Sequence, residues 1–347
     1  MKIPEKLLVF NYAMNPNHQV FSHQIEVVNF LSAFFEEILV ITGSTIPNLE
    51  MKNVKIMSLE WEVGKTFRNF IKMLQILPVI NSIPGYYRVF FHMTDVYAAF
   101  FSPFFWIKRR RQILWYAHAH KSKYLRWANV WVNKILTSTP GSCPITSNKV
   151  LSIGQGVNPD LFPQIPFEEL DLQKLVHFGR FDKSKNIDQI IYEVNRMWHL
   201  NSQISLKIIG TPENRESKLW ADEIKTDWEG AVNAGWLTFA PAVVRKEIPQ
   251  IMRENGVFIH AFLGSLDKTL IESTMLGVPV ICSNKEYMDI FGSWSTSGSK
   301  SSLKVEYEAL MKYSDAEVAI ELNRRRECAI ENHSIDQWIN KLIRELE

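Results

Sequence analysis

HFGRFDKSKNIDQI, residues 177–190, holds a strand end, a tight turn and a helix start in one stretch. The run 175–179 is short and apolar and ends on Gly179, where the backbone is free to turn sharply. Arg180 follows, and Lys185 comes five residues later, just before a helical run. Two cations in front of one strand end can converge on one anion. Arginine grips phosphate oxygens bidentately and lysine acts as a point charge. The competing reading of such a pair, taken alone, is two solvated loop cations.

A second stretch changes that balance. Residues 262–283 read FLGSLDKTLIESTMLGVPVICS: strand, Gly264-Ser265 turn, short helix, Gly277, strand. Ser265 reads as the N-cap of a helix over 268–276, which Gly277 and Pro279 stop. The helix start offers free N–H groups and a positive dipole end to an anion. Glu272 lies between one and two turns into this helix, flanked by Leu270, Ile271 and Met275. Glutamates are usually exposed. In a helix this apolar a buried carboxylate is expected, and it needs a partner. A ribose diol would be a fitting one.

Working outward, short apolar runs alternate with helical segments. They fall at 7–10, 38–42, 54–59, 89–92, 113–118 and 135–138. After a polar bridge around 158–174 they resume at 175–179, 206–210, 237–240, 257–261 and 278–283. Such alternation reads as parallel α/β. Two series predict two doubly wound, Rossmann-like domains facing a central cleft, where strand C-terminal ends collect ligands. The expected division is 1–165, 166–330 and a C-terminal helix over 331–347. That helix carries Trp338, Ile339 and Leu342 on one side and is expected to pack back on the N-terminal domain.

The chain has 347 residues, which fits two domains, and 46% of them are apolar, which excludes disorder. Three distant cysteines, Cys143, Cys282 and Cys328, form no CxxC pair and suggest neither disulfides nor zinc. No apolar run approaches the roughly 20 residues of a spanning helix. A soluble, cytoplasmic protein is the expectation.

The net charge of +2 conceals an asymmetry. Residues 1–165 carry 17 Lys/Arg and 9 Asp/Glu, a net +8, so the remainder carries −6. Between 63 and 159 stand 13 basic residues and one acidic residue, Asp95. Aromatics interleave with the cations around 64–77, 104–111 and 121–134. Basic amphipathic helices with aromatics lie on anionic membranes. The competing reading places most aromatics in the core and leaves the cations solvated. Nucleic acid is the other anionic partner, but no nucleic-acid motif is present, and none is expected to bind.

GRFDKSKN, then G-S-x-D-K-x-x-x-E-(x)4-G-x-P-V about 85 residues later, resembles the retaining glycosyltransferases of the GT-B fold, family 4. SHQIEVVNFLSAFFEEILVIT (22–42), WYAHAH (115–120) and IGQGVNPDLF (153–162) look like that family in the same order. The resemblance spans nearly the whole chain. It implies transfer of a sugar from a nucleotide-diphosphate donor to a glycan or lipid-linked glycan, as in surface polysaccharide assembly. It implies no cofactor and no metal, and the chain lacks an Asp-x-Asp motif. It assigns Arg180 and Lys185 to the donor diphosphate and Glu272 to the ribose. His118, at the end of the run 113–118, matches the family histidine that contacts the donor sugar.

Two departures stand out. The first glutamate of the family's E-x7-E pair falls on Gly264. The N–H groups of Gly264, Ser265 and Leu266 are therefore expected to face the sugar, helped by Asp267 or Lys268. In the loop after the first strand, His18 and Gln19 stand where the family often has Gly-Gly. Imidazole or amide contacts would replace a close backbone approach. Other readings compatible with the same residues are a nucleotide-sugar epimerase of the same fold and a non-catalytic sugar-nucleotide binder at a membrane. For a transferase, the inner face of the cell membrane is the expected place of work.

Overall fold

A computed structural model describes residues 6–16, 18, 21–62, 65–83, 87–296 and 302–347, with the side chain of Thr66 left out. The chain divides into two compact units, residues 1–154 with 338–347, and residues 155–337. Residues 155–165, assigned from sequence to the first domain, thus fall in the second unit. Their backbone bonds explain this. Val157 donates to the His333 carbonyl at 2.8 Å, and Ile165 donates to the Leu276 carbonyl at 2.8 Å.

The first unit is built on a seven-stranded sheet in the order β3-β2-β1-β4-β5-β6-β7, parallel throughout. Its strands are β1 Lys6–Met14, β2 Ile38–Thr45, β3 Val54–Ser58, β4 Tyr87–His92, β5 Gln112–Trp115, β6 Lys134–Thr137 and β7 Val150–Ser152. The helices are α1 Ser22–Ser32, α2 Thr66–Gln75, α3 Leu77–Ser82, α4 Asp95–Ile107 and α5 Lys123–Trp131. Strands buried on both faces need continuous apolar runs, and β1 with its fully buried Leu7, Leu8, Val9 and Phe10 is such a run. The sequence reading lacks only β7. That strand is three residues long, with Leu151 and Ser152 exposed, so no apolar run announces it. Gln24 fixes the start of α1. Its side-chain oxygen accepts from the N–H groups of Tyr12 and Ala13 at 2.9 and 3.0 Å.

The second unit has a five-stranded parallel sheet in the order β10-β9-β8-β11-β12. Its strands are β8 Lys174–Phe178, β9 Ser205–Ile209, β10 Leu237–Ala240, β11 Val257–His260 and β12 Val280–Cys282. Its helices are α6 Ile187–Trp198, α7 Arg215–Asp227, α8 Glu229–Asn233, α9 Ile248–Asn255, α10 Lys268–Met275, α11 Lys285–Phe291, α12 Leu303–Leu310 and α13 Asp315–His333. Strand order reverses between β8 and β11. In open parallel sheets that switch point opens a crevice at the strand C-terminal ends.

The last helix, α14, runs over Ile335–Leu346, and its part from Trp338 onward belongs to the first unit. Trp338 is buried, with its ring 5.0 Å from Trp115 and 6.1 Å from Phe90. Arg111 Nε donates to the Glu345 carbonyl at 2.8 Å. Among the described residues no helix is long and apolar enough to cross a membrane.

Candidate functional site

The loop leaving β8 is rigidly built. Asp182 accepts from the Ser184 N–H at 2.8 Å and caps a single 3-10 turn over Lys183–Lys185. Asn186 adopts a left-handed conformation with φ of 50°. Its amide donates to the Ala261 carbonyl at 2.9 Å, tying the loop to the end of β11. Arg180 turns to Glu213 at 3.4 Å and to Asp182 at 3.7 Å. Its side chain is 40% exposed, and pairs this exposed are weak enough to be exchanged for a ligand. Lys185 differs. It is buried, ion-paired with Asp267, and its Nζ stands 4.1 Å over the Phe262 ring. Such a site holds an ammonium in one place.

Asp267 is the centre of this network. It is the true N-cap of α10, accepting from the Thr269 N–H, and replaces Ser265 in that role. Phe262 N–H donates to His260 Nδ1 at 3.3 Å, so Nε2 carries the proton toward Asp267 at 3.2 Å. Burial alone would raise the Asp267 carboxyl, yet Lys185 and His260 hold it well below its usual range. Burial also pushes both buried histidines down: His260 in direction, and His177 to about 3. His177 meets the Ile259 carbonyl through Nδ1 at 2.9 Å, and its Nε2 has no hydrogen-bond partner among the described residues.

The loop 262–266 is held by its carbonyls. Buried Asn284 donates to the carbonyls of Phe262, Gly264 and Ser265 at 3.0, 3.3 and 3.3 Å. Gln155 donates to the carbonyl of Leu266. With these oxygens engaged, the N–H groups of Gly264 and Ser265 meet no acceptor among the described residues. The glycine at 264 also leaves room for a neighbouring ring. A Cβ there would collide with the Phe262 ring. Phenylalanine thus fills the space beside position 264, where the resembling family carries a carboxylate.

Glu272 is buried at 3% exposure, which overturns the exposed-glutamate alternative. Its partner in the protein is Arg245, from a 3-10 turn over Arg245–Glu247 after β10. Burial raises the Glu272 carboxyl despite the pull of Arg245 and Lys268. Lys268 Nζ donates to the Gly156 carbonyl at 3.3 Å.

In the first unit, β5 stops at Trp115, so His118 lies three residues beyond the strand on an exposed loop, not at the strand end. Its ring is 6.4 Å from Tyr116. His18 closes the turn before α1: its Nδ1 accepts from the Phe21 N–H at 3.2 Å. Gln19 lies outside the described residues.

The second unit thus gathers Lys185, Gly264, Ser265, Leu266, Lys268 and Glu272 around two adjoining strand ends, with Arg180 on the same loop as Lys185. Sequence reasoning missed His260, Phe262, Arg245, Asn284 and Gln155. Asn284 had a local signal, an asparagine just before a helix. Arg245, 27 residues from Glu272, had none. Among the described residues no group of three His, Cys, Asp or Glu side chains is placed to share a metal ion.

The family model described as glycosyl transferases group 1 matches residues 160–297, the segment that carries this site. A search of curated protein sequences finds no match. Among solved structures, sucrose-phosphate synthase (tll1590) from Thermosynechococcus elongatus is similar over 99% of both chains, at 14% identity and a TM-score of 0.75. Anabaena Alr3699/HepE in complex with UDP is similar over 98% of this chain and 99% of that one, at 14% identity and a TM-score of 0.73. Trehalose-6-phosphate synthase OtsA is similar over 98% of both, at 12% identity and 0.71. The two parallel-sheet α/β domains of this chain have the GT-B fold of these proteins.

Proposed function

We propose that this chain is a retaining glycosyltransferase that moves a sugar from a nucleoside-diphosphate donor to a glycan or lipid-linked glycan acceptor. The observation that carries this is the convergence of cations and open N–H groups at the switch point of the second sheet, which suits an anion. Buried Lys185, exchangeable Arg180 and the N–H groups of Gly264 and Ser265 belong to the loops that leave β8 and β11. The matched glycosyltransferase model over 160–297 supports the same reading.

In this mechanism the bond from the sugar's anomeric carbon to the diphosphate oxygen breaks, and a bond to the acceptor oxygen forms on the same face. The acceptor hydroxyl proton passes to the departing diphosphate. Negative charge grows on that diphosphate as the bond breaks. Fixed donors aimed at growing charge lower the barrier because they need not reorganise. Lys185 cannot swing away, since Asp267 and the Phe262 face hold it. Glu272 binds the ribose hydroxyls in exchange for part of its contact with Arg245. His118 carries the sugar-contacting role that the resemblance assigns to it. The chemistry runs on protein cations, so chelator treatment is expected to leave turnover unchanged. Surface polysaccharide assembly at the inner face of a cell membrane is the setting that fits such an acceptor.

A thermal-shift panel of nucleoside diphosphates and nucleotide sugars tests this. The Anabaena protein was solved with UDP and UDP-glucose, so uridine nucleotides come first. A cognate ligand at a hundredfold excess over its Kd adds about 2.7 kcal/mol. Silence across the panel would sink the reading. Glu272→Gln should weaken nucleoside diphosphates roughly 10–100-fold and leave inorganic pyrophosphate unaffected, as expected for one hydrogen bond to a charged group.

A further inference from the structure

We propose that the groove between α2, α4 and α5 of the first unit binds the hydrocarbon chain of an anionic membrane lipid, with its cations on the headgroups. The groove encloses about 650 Å³, within the size range of small-molecule pockets. Its lining grades from core to surface. Met73 and Ala99 are buried, Trp61 and Phe100 are half-buried, and Phe70 and Trp127 are 44% and 52% exposed. Asn69 and Lys123 are its polar side chains beside the Tyr124 hydroxyl.

The surrounding surface points the same way. Among the described residues every exposed Phe and Trp side chain lies on α2, α4 or α5: Phe67, Phe70, Phe104, Trp106 and Trp127. Exposed Arg109, Lys121 and Arg126 stand on or beside these helices and make no ion pair among the described residues. Arg68 and Lys72 share Glu62, and Arg110 turns inward onto the Phe105 ring and the Ile83 carbonyl, so neither group adds to the patch in full. Exposed aromatics beside unpaired cations fit the interfacial zone of an anionic bilayer. The cavity favours lipid over nucleic acid. A nucleobase needs hydrogen-bond partners for its edges, and the Asn69 amide is already spent on the backbone of Glu62, which leaves only Lys123 and the Tyr124 hydroxyl at one side of a mostly apolar lining, whereas a hydrocarbon chain needs none. That the lipid is the acceptor rests on the glycosyl-transfer reading; the pocket itself does not.

The test uses the full chain and n-alkyl phosphates of increasing length, read by tryptophan fluorescence, because Trp61 and Trp127 line the groove. Affinity should rise about fourfold per added methylene until the cavity is filled, then level off. Phe70→Ser and Tyr124→Ser, at exposed positions, should flatten that dependence while keeping the thermal response to nucleotide. The protein should float with vesicles containing phosphatidylglycerol and not with phosphatidylcholine alone. Affinity independent of chain length, an unchanged slope in both variants, or an oligonucleotide that competes for the site would overturn the proposal. Nucleotide response without alkyl phosphate binding overturns the pocket and leaves the transferase standing. Alkyl phosphate binding without nucleotide response does the reverse.

Discussion

The two units carry their positive charge in opposite ways. In the second, Lys185 is buried against Asp267, and Arg245 is paired with buried Glu272. In the first, Arg109, Lys121 and Arg126 are exposed beside Trp106 and Trp127 and have no ion-pair partner among the described residues. A buried cation must be paired because desolvation is costly, and the pairing fixes its position. An exposed cation is screened within about 8 Å at physiological ionic strength and is interchangeable with its neighbours. The first kind of site places one charge against one ligand atom. The second responds to the sign of a whole surface.

The sharpest way to break this contrast is to delete one cation from each region. Arg180→Ala or Lys185→Ala should lower turnover roughly 100–1000-fold, about 2.7–4 kcal/mol of transition-state stabilisation. Arg126→Ala should change partitioning onto anionic vesicles only about fivefold. Equal, modest effects in both assays would erase the distinction.

The packing around Lys185 gives the next test. Gly264→Ala drives a methyl into the Phe262 ring and should cost about 1–3 kcal/mol in urea denaturation. The double variant with Phe262→Ala should recover much of that loss, because the two positions share one space. Additive losses would show that Phe262 does not hold the loop.

The smallest effect is a pH slope. His177 is held neutral with its pKa near 3, so between that value and about 6.5 the unfolded chain binds a proton that the folded chain refuses. Stability from this group is complete above pH ~6.5 and falls by about 1.4 kcal/mol per pH unit below it. His260, also lowered, acts in the same direction. Glu272, raised, opposes them, because there the folded state holds the extra proton. Urea denaturation of His177→Leu should match the parent slope above pH ~6.5 and be shallower by up to one proton below it. An identical slope would mean that His177 titrates in the folded protein as it does in the unfolded chain.

Much of the site was legible locally. Gly179, Arg180 and Lys185 declare a strand end followed by cations, and Gly277 with Pro279 declares the end of α10. The start of α10 is ambiguous by two residues in the sequence, because Ser265 and Asp267 are both competent caps and only the contact with Lys185 and His260 chooses between them. His118 lies farther from its strand than the apolar run suggests, since the run continues through Tyr116 and Ala117 after the ladder has ended.

The sequence by itself determined the two parallel α/β units, the order of eleven strands and the charge imbalance, because periodicity and composition are written along the chain. Tertiary structure alone decided who partners whom. Arg245 reaches Glu272 across 27 residues, Lys185 reaches Asp267 across 82, and Phe262 occupies the space beside Gly264. A buried charge takes whichever partner the fold brings within reach, and that distance in space is not encoded in distance along the chain.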